Sequence, residues 1–262
     1  MKIGFIGGGN IAEAMIKGMT SQGMKDILVS EPAEERREYL SKSFSIETTN
    51  SNKDLVASCR IIILAIKPQN MVPVIDEIKE IVTGEHTVVS IAAGIKLDYL
   101  SSRLKTNKLI RVMPNTPALV QEGMSVMSLC ECFSDNSIAV VRDILTSIGK
   151  VITLPEKYMD AVTALSGSGP AFIALFIEAM IEGAKTIGLN EGDALTLAVQ
   201  TVLGTSKLLD TGMYPARLRE MVTSPGGTTA AGLAVFDEMK FKDTVKAAII
   251  AARNRSEELG RS

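Results

Sequence analysis

The 262-residue sequence predicts an α/β fold in two parts: a doubly wound, mainly parallel sheet over residues 1–155 and an all-α part over residues 156–262. Three observations carry this. The chain opens with a short apolar strand that runs straight into three glycines and an amphipathic helix. Short apolar runs then alternate with helical stretches as far as Leu154. Beyond Pro155 and Glu156 the strand pattern stops, and long segments rich in Ala, Val and Leu take over.

Residues 2–6 read as a buried strand, and residues 10–19 carry Ile11, Met15 and Met19 at helical spacing. Between them the pattern is Gly7-x-Gly9-x-x-Ala12. In a strand–turn–helix setting the first glycine makes the turn and the second admits a pyrophosphate to the backbone. The third small residue lets helix and strand pack closely. That setting makes the sheet Rossmann-type and implies a dinucleotide cofactor. Further strands are expected at residues 27–30, 60–66, 87–91 and 109–113, with a polar helix over 34–43. Two more at 124–129 and 151–154 bracket a helix over 135–148.

Such a sheet takes its ligand at the strands' carboxyl ends. Ser30 and Glu31 end the second strand, where the adenosine ribose belongs. Glu31 can accept a hydrogen bond from a ribose 2′-hydroxyl and would repel a 2′-phosphate. Arg36 and Arg37 either offset that repulsion or pair with neighbouring glutamates. Locally this leans towards NADH. Ala65, Ala92 and Ala93 leave room for a nicotinamide ring, or simply pack against helices.

Hydrophobic residues make up 46% and charged residues 22%, as in ordinary globular chains. The net charge is −2, with 17 basic and 17 acidic residues up to Pro155 and 11 and 13 beyond it. Neither half is basic, which argues against nucleic acid or an anionic membrane as partner. Cys59, Cys130 and Cys132 are an odd set without a secretory signal, so reduced thiols and a cytoplasmic location are expected. Cys130-x-Cys132 has no second pair to complete a metal site, and structural thiols are the expectation. The longest apolar stretch, residues 171–177, stops at Glu178, so no membrane span is expected.

In the helical half, residues 166–170 break and restart a helix, with Pro170 suited to a first turn. Residues 171–188 are apolar on nearly every face except at Glu178, Glu182 and Lys185, and residues 195–209 are similar. Helices that apolar must be covered almost all round. So short a helical domain does not bury two of them alone, and an intimate homodimer is expected. Residues 221–232 read MVTSPGGTTAAG. Gly226 and Gly227 leave backbone amides uncovered, and Thr228 or Thr229 is expected to cap the helix that follows. Amides at a helix start favour an anion such as a small carboxylate; the alternative is an ordinary capped turn.

Ketone reduction needs a positioned proton donor, most often His or Lys. His86, the only histidine, precedes a strand at the end away from the expected site, and Lys67 and Lys207 have no partner adjacent in sequence. A cyclic imine demands less, because its nitrogen arrives protonated or is steered by a hydroxyl. Ser224, Thr228 and Thr229 supply hydroxyls, which favours an imino acid over a keto acid. A β-hydroxyacid-type dehydrogenase relying on Lys207 and a non-catalytic dinucleotide sensor remain as alternatives.

The segments GFIGGGNIAEA, AIKPQN, VVSIAAG, MPNTPALVQEG, ALSGSGPAFIALFIEAM and MVTSPGGTTAAGL run nearly end to end. Together they resemble the pyrroline-5-carboxylate reductases, which catalyse the last step of proline biosynthesis. The resemblance implies NAD(P)H-dependent reduction of 1-pyrroline-5-carboxylate to L-proline. It places Gly7, Gly8, Gly9, Asn10 and Ile11 on the pyrophosphate, and Asn52, Ala65, Lys67, Pro68 and Ala93 along the rest of the cofactor groove. It puts the substrate carboxylate on the amides of Gly226, Gly227 and Thr228 beside Ser224, with Thr229 as the catalytic hydroxyl on the ring nitrogen. Glu156 matches a position that contacts substrate in some members, or lies in an exposed loop. Members often carry serine or arginine where Glu31 stands, so both NADPH and NADH stay open. The resemblance further implies interlocked dimers through the helical domain, five of them forming a decamer.

Overall fold

The computed structural model describes residues 1–130, 133 and 136–260. The chain forms two compact units, Met1–Ser168 with Ala252–Ser262, and Gly169–Ala251.

The first unit runs β1 (Ile3–Ile6), α1 (Asn10–Ser21), β2 (Ile27–Ser30), α2 (Glu34–Phe44), β3 (Glu47–Thr49) and α3 (Asn52–Ser58). It continues through β4 (Ile61–Leu64), α4 (Met71–Ile78), β5 (Thr87–Ser90), α5 (Leu97–Ser101) and β6 (Leu109–Met113). Then come β7 (Gly123–Leu129), α6 (Ser137–Thr146), β8 (Gly149–Thr153) and α7 (Met159–Val162). The strands form one sheet in the order β3-β2-β1-β4-β5-β6-β7-β8. β1 to β6 pair in parallel, β7 is antiparallel to β6, and β8 is parallel to β7.

Strands covered on both faces read as near-continuous apolar runs; β1, β2, β4 and β5 are buried throughout, with Ser30, Thr87 and Ser90 the buried polar positions at their ends. Ile3, Phe5, Ile61 and Ile63 enter one core with Met15 and Ile16. Ile6, Ile62 and Leu64 enter the other with Leu55 and Ile75. The strand order reverses between β1 and β4, which opens a crevice at their carboxyl ends.

Two features depart from the pattern read in the sequence. β3 is a polar edge strand, Glu-Thr-Thr, without the apolar run that marks its neighbours. β7 turns back against β6, joined to it by only a short turn over Thr116–Val120 rather than a full crossover helix. Cys59 is buried, and burial pushes its thiol up to about 11. Cys130 is a free thiol. Cys132 and Asp135 lie outside the described residues, so the Cys130-x-Cys132 pair and the expected start of the helix at 135 fall there.

By compactness the chain divides after Ser168. Met159 and Val162 of α7 pack on Val126 of β7, which ties the start of the helical half to the sheet. Asn115 holds the following turn by donating to the carbonyl oxygen of Ser166 at 3.2 Å.

The second unit holds α8 (Gly169–Thr186), α9 (Glu191–Asp210), α10 (Pro215–Met221), α11 (Thr228–Glu238) and most of α12 (Phe241–Leu259). Asn190 caps α9 by accepting from the amide of Asp193. Phe236 and Phe176 both pack on Phe241, with ring centroids 4.9 and 6.1 Å away. α8 contains no buried residue, and its Ile173 and Leu175 are 50% and 65% exposed. Leu208, Leu209, Pro215 and Leu218 line an open apolar groove of about 540 Å³. By length and composition the run Glu156–Thr186 would also pass as a membrane span; a π-helical turn at Thr163–Gly167 interrupts it.

The last residues of α12 belong to the first unit. Ser256 donates to Asp160 Oδ1 at 2.7 Å. The backbone of Leu259 passes 3.6 Å from where a Cβ of Gly94 would stand.

Candidate active site

The turn from β1 into α1 needs glycine for steric reasons. Gly7 has φ +97°, and a Cβ there would lie 2.5 Å from the carbonyl oxygen of Ala65. Its N–H donates to the carbonyl of Ser30 at 2.8 Å, which fixes the turn beside the end of β2. Gly9 is the N-cap of α1 in an extended conformation and brings no capping side chain. Among the described residues, nothing lies within 4 Å of where its Cβ would project. The first-turn amides of α1, at Asn10 and Ile11, therefore face an open approach at the positive end of the helix dipole, which fits a pyrophosphate. Ala12 is fully buried against the sheet, as the third small position requires.

At the ribose edge Glu31 Oε2 accepts from the Gly8 amide at 2.9 Å, and Oε1 from the Ala33 amide at 3.1 Å. Arg36 donates to the Gly8 carbonyl at 2.6 Å and to the Glu13 carboxylate. Burial alone would raise the Glu13 carboxyl, but its hydrogen bonds to Arg36 and Tyr39 hold it below the ordinary value. Arg37 donates to the carbonyls of Glu31 and Pro32 at 2.8 and 2.7 Å. Both arginines are thus turned onto this chain's own acceptors. Ser30 Oγ donates to Asn52 Oδ1 at 2.7 Å, and Asn52 Nδ2 donates to Glu77 at 2.7 Å.

Ala65 follows β4, and its N–H donates to the carbonyl of Ile6 at 2.8 Å. Lys67 and Pro68 open the exposed turn after it, and Ala93 follows β5 half-buried. The parallel registers of β2, β1, β4 and β5 bring all twelve expected cofactor residues to one edge of the sheet. His86 lies at the opposite end, before β5; its ring accepts the Thr83 amide at 2.9 Å and meets the Val56 carbonyl at 3.2 Å.

In the second unit Gly226 reverses the chain at φ +70°. Gly227, not Thr228 or Thr229, is the N-cap of α11, and no side-chain cap bond is formed. The reason is geometric: the reversal at Gly226 already brings Gly227 into position for its carbonyl to accept from Ala231 at 3.1 Å, so both threonines fall inside the first turn. The Gly227 amide is not uncovered as the sequence suggested: the tight turn points it back to the Ser224 carbonyl, to which it donates at 3.1 Å. A Cβ on Gly227 would meet Ser224 Oγ at 2.5 Å, so the serine hydroxyl overhangs the turn. Ser224, Gly226, Gly227, Thr228 and Thr229 are therefore one contiguous cluster in this unit.

Glu156 lies in the first unit and is not an exposed loop residue. Its Oε1 accepts from Arg111 at 3.0 Å and from the Leu97 amide at 2.8 Å, bracing β6 against the start of α5. The Arg111 side chain is 4% exposed and that of Glu156 26%. Sequence reasoning passed over Arg111 and Glu77. An arginine inside the apolar run Leu-Ile-Arg-Val-Met was the available signal for the first; Glu77 gave none.

Residues 156–259 match the family model for pyrroline-5-carboxylate reductase dimerisation, and residues 2–94 match that for coenzyme F420-dependent NADP oxidoreductases. A pyrroline-5-carboxylate reductase of Synechocystis is 38% identical, over 100% of this chain and 99% of that relative. This chain belongs to the pyrroline-5-carboxylate reductase family. A family structure from Coxiella burnetii superposes with a TM-score of 0.93 at 32% identity, covering 100% of this chain and 99% of the other. The Plasmodium falciparum pyrroline carboxylate reductase, solved with NADP bound, gives 0.87 at 30% identity and covers 99% and 98%. The match to a reductase dimerisation model indicates an oligomer, and it falls on the half where α8 and α9 expose apolar surface.

Proposed function

We propose that this chain reduces 1-pyrroline-5-carboxylate to L-proline, holding the cofactor at the carboxyl ends of the strands and the substrate on the Ser224–Thr229 loop. The observation that carries the reading is a pair of uncapped helix starts in one chain of this family: Gly9 before α1 and Gly227 before α11. Each offers backbone amides to an anion. The first takes the cofactor pyrophosphate and the second the substrate carboxylate. The cofactor, when bound, supplies the hydride that reduces the ring C=N bond.

Gly7 to Ile11 hold the pyrophosphate, Ser30, Glu31 and Asn52 the adenosine ribose, and Ala65, Lys67, Pro68 and Ala93 the remainder. The amides of Gly226 and Thr228 grip the carboxylate with the Ser224 hydroxyl beside it, and Gly227, its own amide turned back onto the Ser224 carbonyl, shapes the loop around it. Thr229 is the catalytic residue, its hydroxyl hydrogen-bonded to the ring nitrogen. Positioning of this kind supplies most of the barrier reduction, since the hydride must meet a fixed carbon. Glu156 is a further substrate contact, by its match to a substrate-contacting position of the family. The functional division lies between residues 155 and 156.

NADH is the favoured reductant. Glu31 presents carboxylate oxygens to the ribose, while Arg36 and Arg37 are occupied by Gly8, Glu13, Glu31 and Pro32. The enzyme is a homodimer through α8 and α9, five dimers forming a decamer, and works in the cytoplasm; neither nucleic acid nor membrane takes part. Oxidation of NADH and NADPH with pyrroline-5-carboxylate, followed at 340 nm with chromatographic detection of proline, tests the reading. Cofactor oxidation without proline would overturn it. A stable, active monomer in sedimentation at low micromolar concentration would overturn the dimer.

A further inference from the structure

We infer that Glu77, on α4, helps to set which cofactor the ribose edge accepts by fixing the orientation of Asn52. This rests on the NADH reading above and extends it to a residue outside the expected groove. A carboxylate only accepts hydrogen bonds. Glu77 Oε2 lies 2.7 Å from the Asn52 side chain, so the Asn52 amide nitrogen must face it. The carbonyl oxygen of Asn52 then faces Ser30 at 2.7 Å, and because it too only accepts, the Ser30 hydroxyl donates. The carbonyl of Ser30 meanwhile receives the Gly7 amide, which places this chain of bonds against the glycine turn.

The consequence is an edge whose nearby donor groups are turned towards this chain's own acceptors. Asn52 Nδ2 donates to Glu77 and the Gly8 amide to Glu31, and Arg36 and Arg37 each direct part of their N–H groups to carbonyl and carboxylate oxygens. A ribose 2′-hydroxyl, which donates, meets acceptors there. A 2′-phosphate, which needs donors, meets the Glu31 carboxylate and an Asn52 whose nitrogen is turned away to Glu77. Freed from Glu77, Asn52 turns its nitrogen to the ribose. Glu77 is a positioning residue: it acts through Asn52 and does not touch the cofactor.

The test is direct binding of NADH and NADPH to the full-length protein, by calorimetric titration at fixed ionic strength. Wild type, Glu77→Ala, Asn52→Ala and the double variant are compared. An exposed, single charge-assisted hydrogen bond predicts that Glu77→Ala, which leaves no side-chain acceptor, lowers the ratio of the NADPH to the NADH dissociation constant about three- to fivefold. Thermal midpoints should stay within roughly 2 °C, because the pair is exposed. In the Asn52→Ala background the same substitution should leave the ratio unchanged. An unchanged ratio in Glu77→Ala overturns the inference, as does an equal fall without Asn52, which would make Glu77 a bulk charge only. A wild-type ratio at or below one refutes the NADH reading instead, and the Glu77→Ala comparison still decides the role of Glu77.

Discussion

Gly7 and Gly9 stand two residues apart in one motif, yet the structure predicts opposite consequences for replacing them. At Gly7 a side chain meets two obstacles: φ is +97°, and the Cβ would lie 2.5 Å from the Ala65 carbonyl oxygen and 2.9 Å from Ile66 Cγ2. The left-handed backbone costs an L-residue about 1–2 kcal/mol. Crowding against backbone that cannot rotate away adds about 1–3 kcal/mol. Gly7→Ala should therefore destabilise the protein by about 2–5 kcal/mol, or lower its melting temperature by roughly 5–15 °C for a chain of this size. Gly9 is extended, at φ −71° and ψ −176°, with open space around its Cβ position. Gly9→Val should change stability by less than about 1 kcal/mol. Its side chain stands where the pyrophosphate must come, so NADH should bind at least about 100-fold more weakly, close to 2.7 kcal/mol. Differential scanning fluorimetry and calorimetric titration of both variants check this together. A Gly9→Val protein that binds NADH like the parent would refute the pyrophosphate site, and a Gly7→Ala protein that melts like the parent would refute the steric argument.

Thr229→Ala should lower kcat about 100-fold, the usual loss for one aimed hydrogen bond in a transition state. NADH affinity should stay within about twofold in that variant, and equal turnover in parent and variant would remove Thr229 from the mechanism. Glu156→Ala leaves the buried Arg111 guanidinium without its carboxylate and should cost about 1–3 kcal/mol in urea unfolding, discounted for partial exposure. A raised KM with unchanged stability would show that Glu156 serves the substrate alone. Glu13, whose carboxyl is held below its ordinary value, stabilises the fold above its unfolded pKa and loses that contribution as pH falls through the folded one. Glu13→Gln should accordingly narrow the stability difference between neutral pH and pH values below about 4.5; the same acid sensitivity in both proteins would count against the Arg36 pairing.

The sheet was readable because parallel strands buried on both faces are mostly apolar runs, so Ile61 to Leu64 announce themselves. β3 escaped for the opposite reason, since an edge strand of Glu-Thr-Thr needs no apolar signal. The reversal of β7 was illegible because strand direction depends on how the chain returns, not on the composition of the strand. Within the site, Gly7 and Gly226 were visible because a positive φ selects glycine directly. The capping role of Gly227 was masked by two threonines, the residues ordinarily preferred there. The Arg111–Glu156 and Asn52–Glu77 pairs join residues far apart in sequence, and only the folded sheet brings them together.

The return of α12 to the first unit makes the nucleotide-binding half a discontinuous domain. Its closing segment, from Ala252 onward, follows Gly169–Ala251 in the chain, so the front unit is completed only after the whole second unit has been synthesised. A fragment ending at Ser168 lacks the serine that meets Asp160 and the helix end that lies over Gly94. Complementation with a peptide carrying the terminal turns of α12 would then be the natural way to restore it.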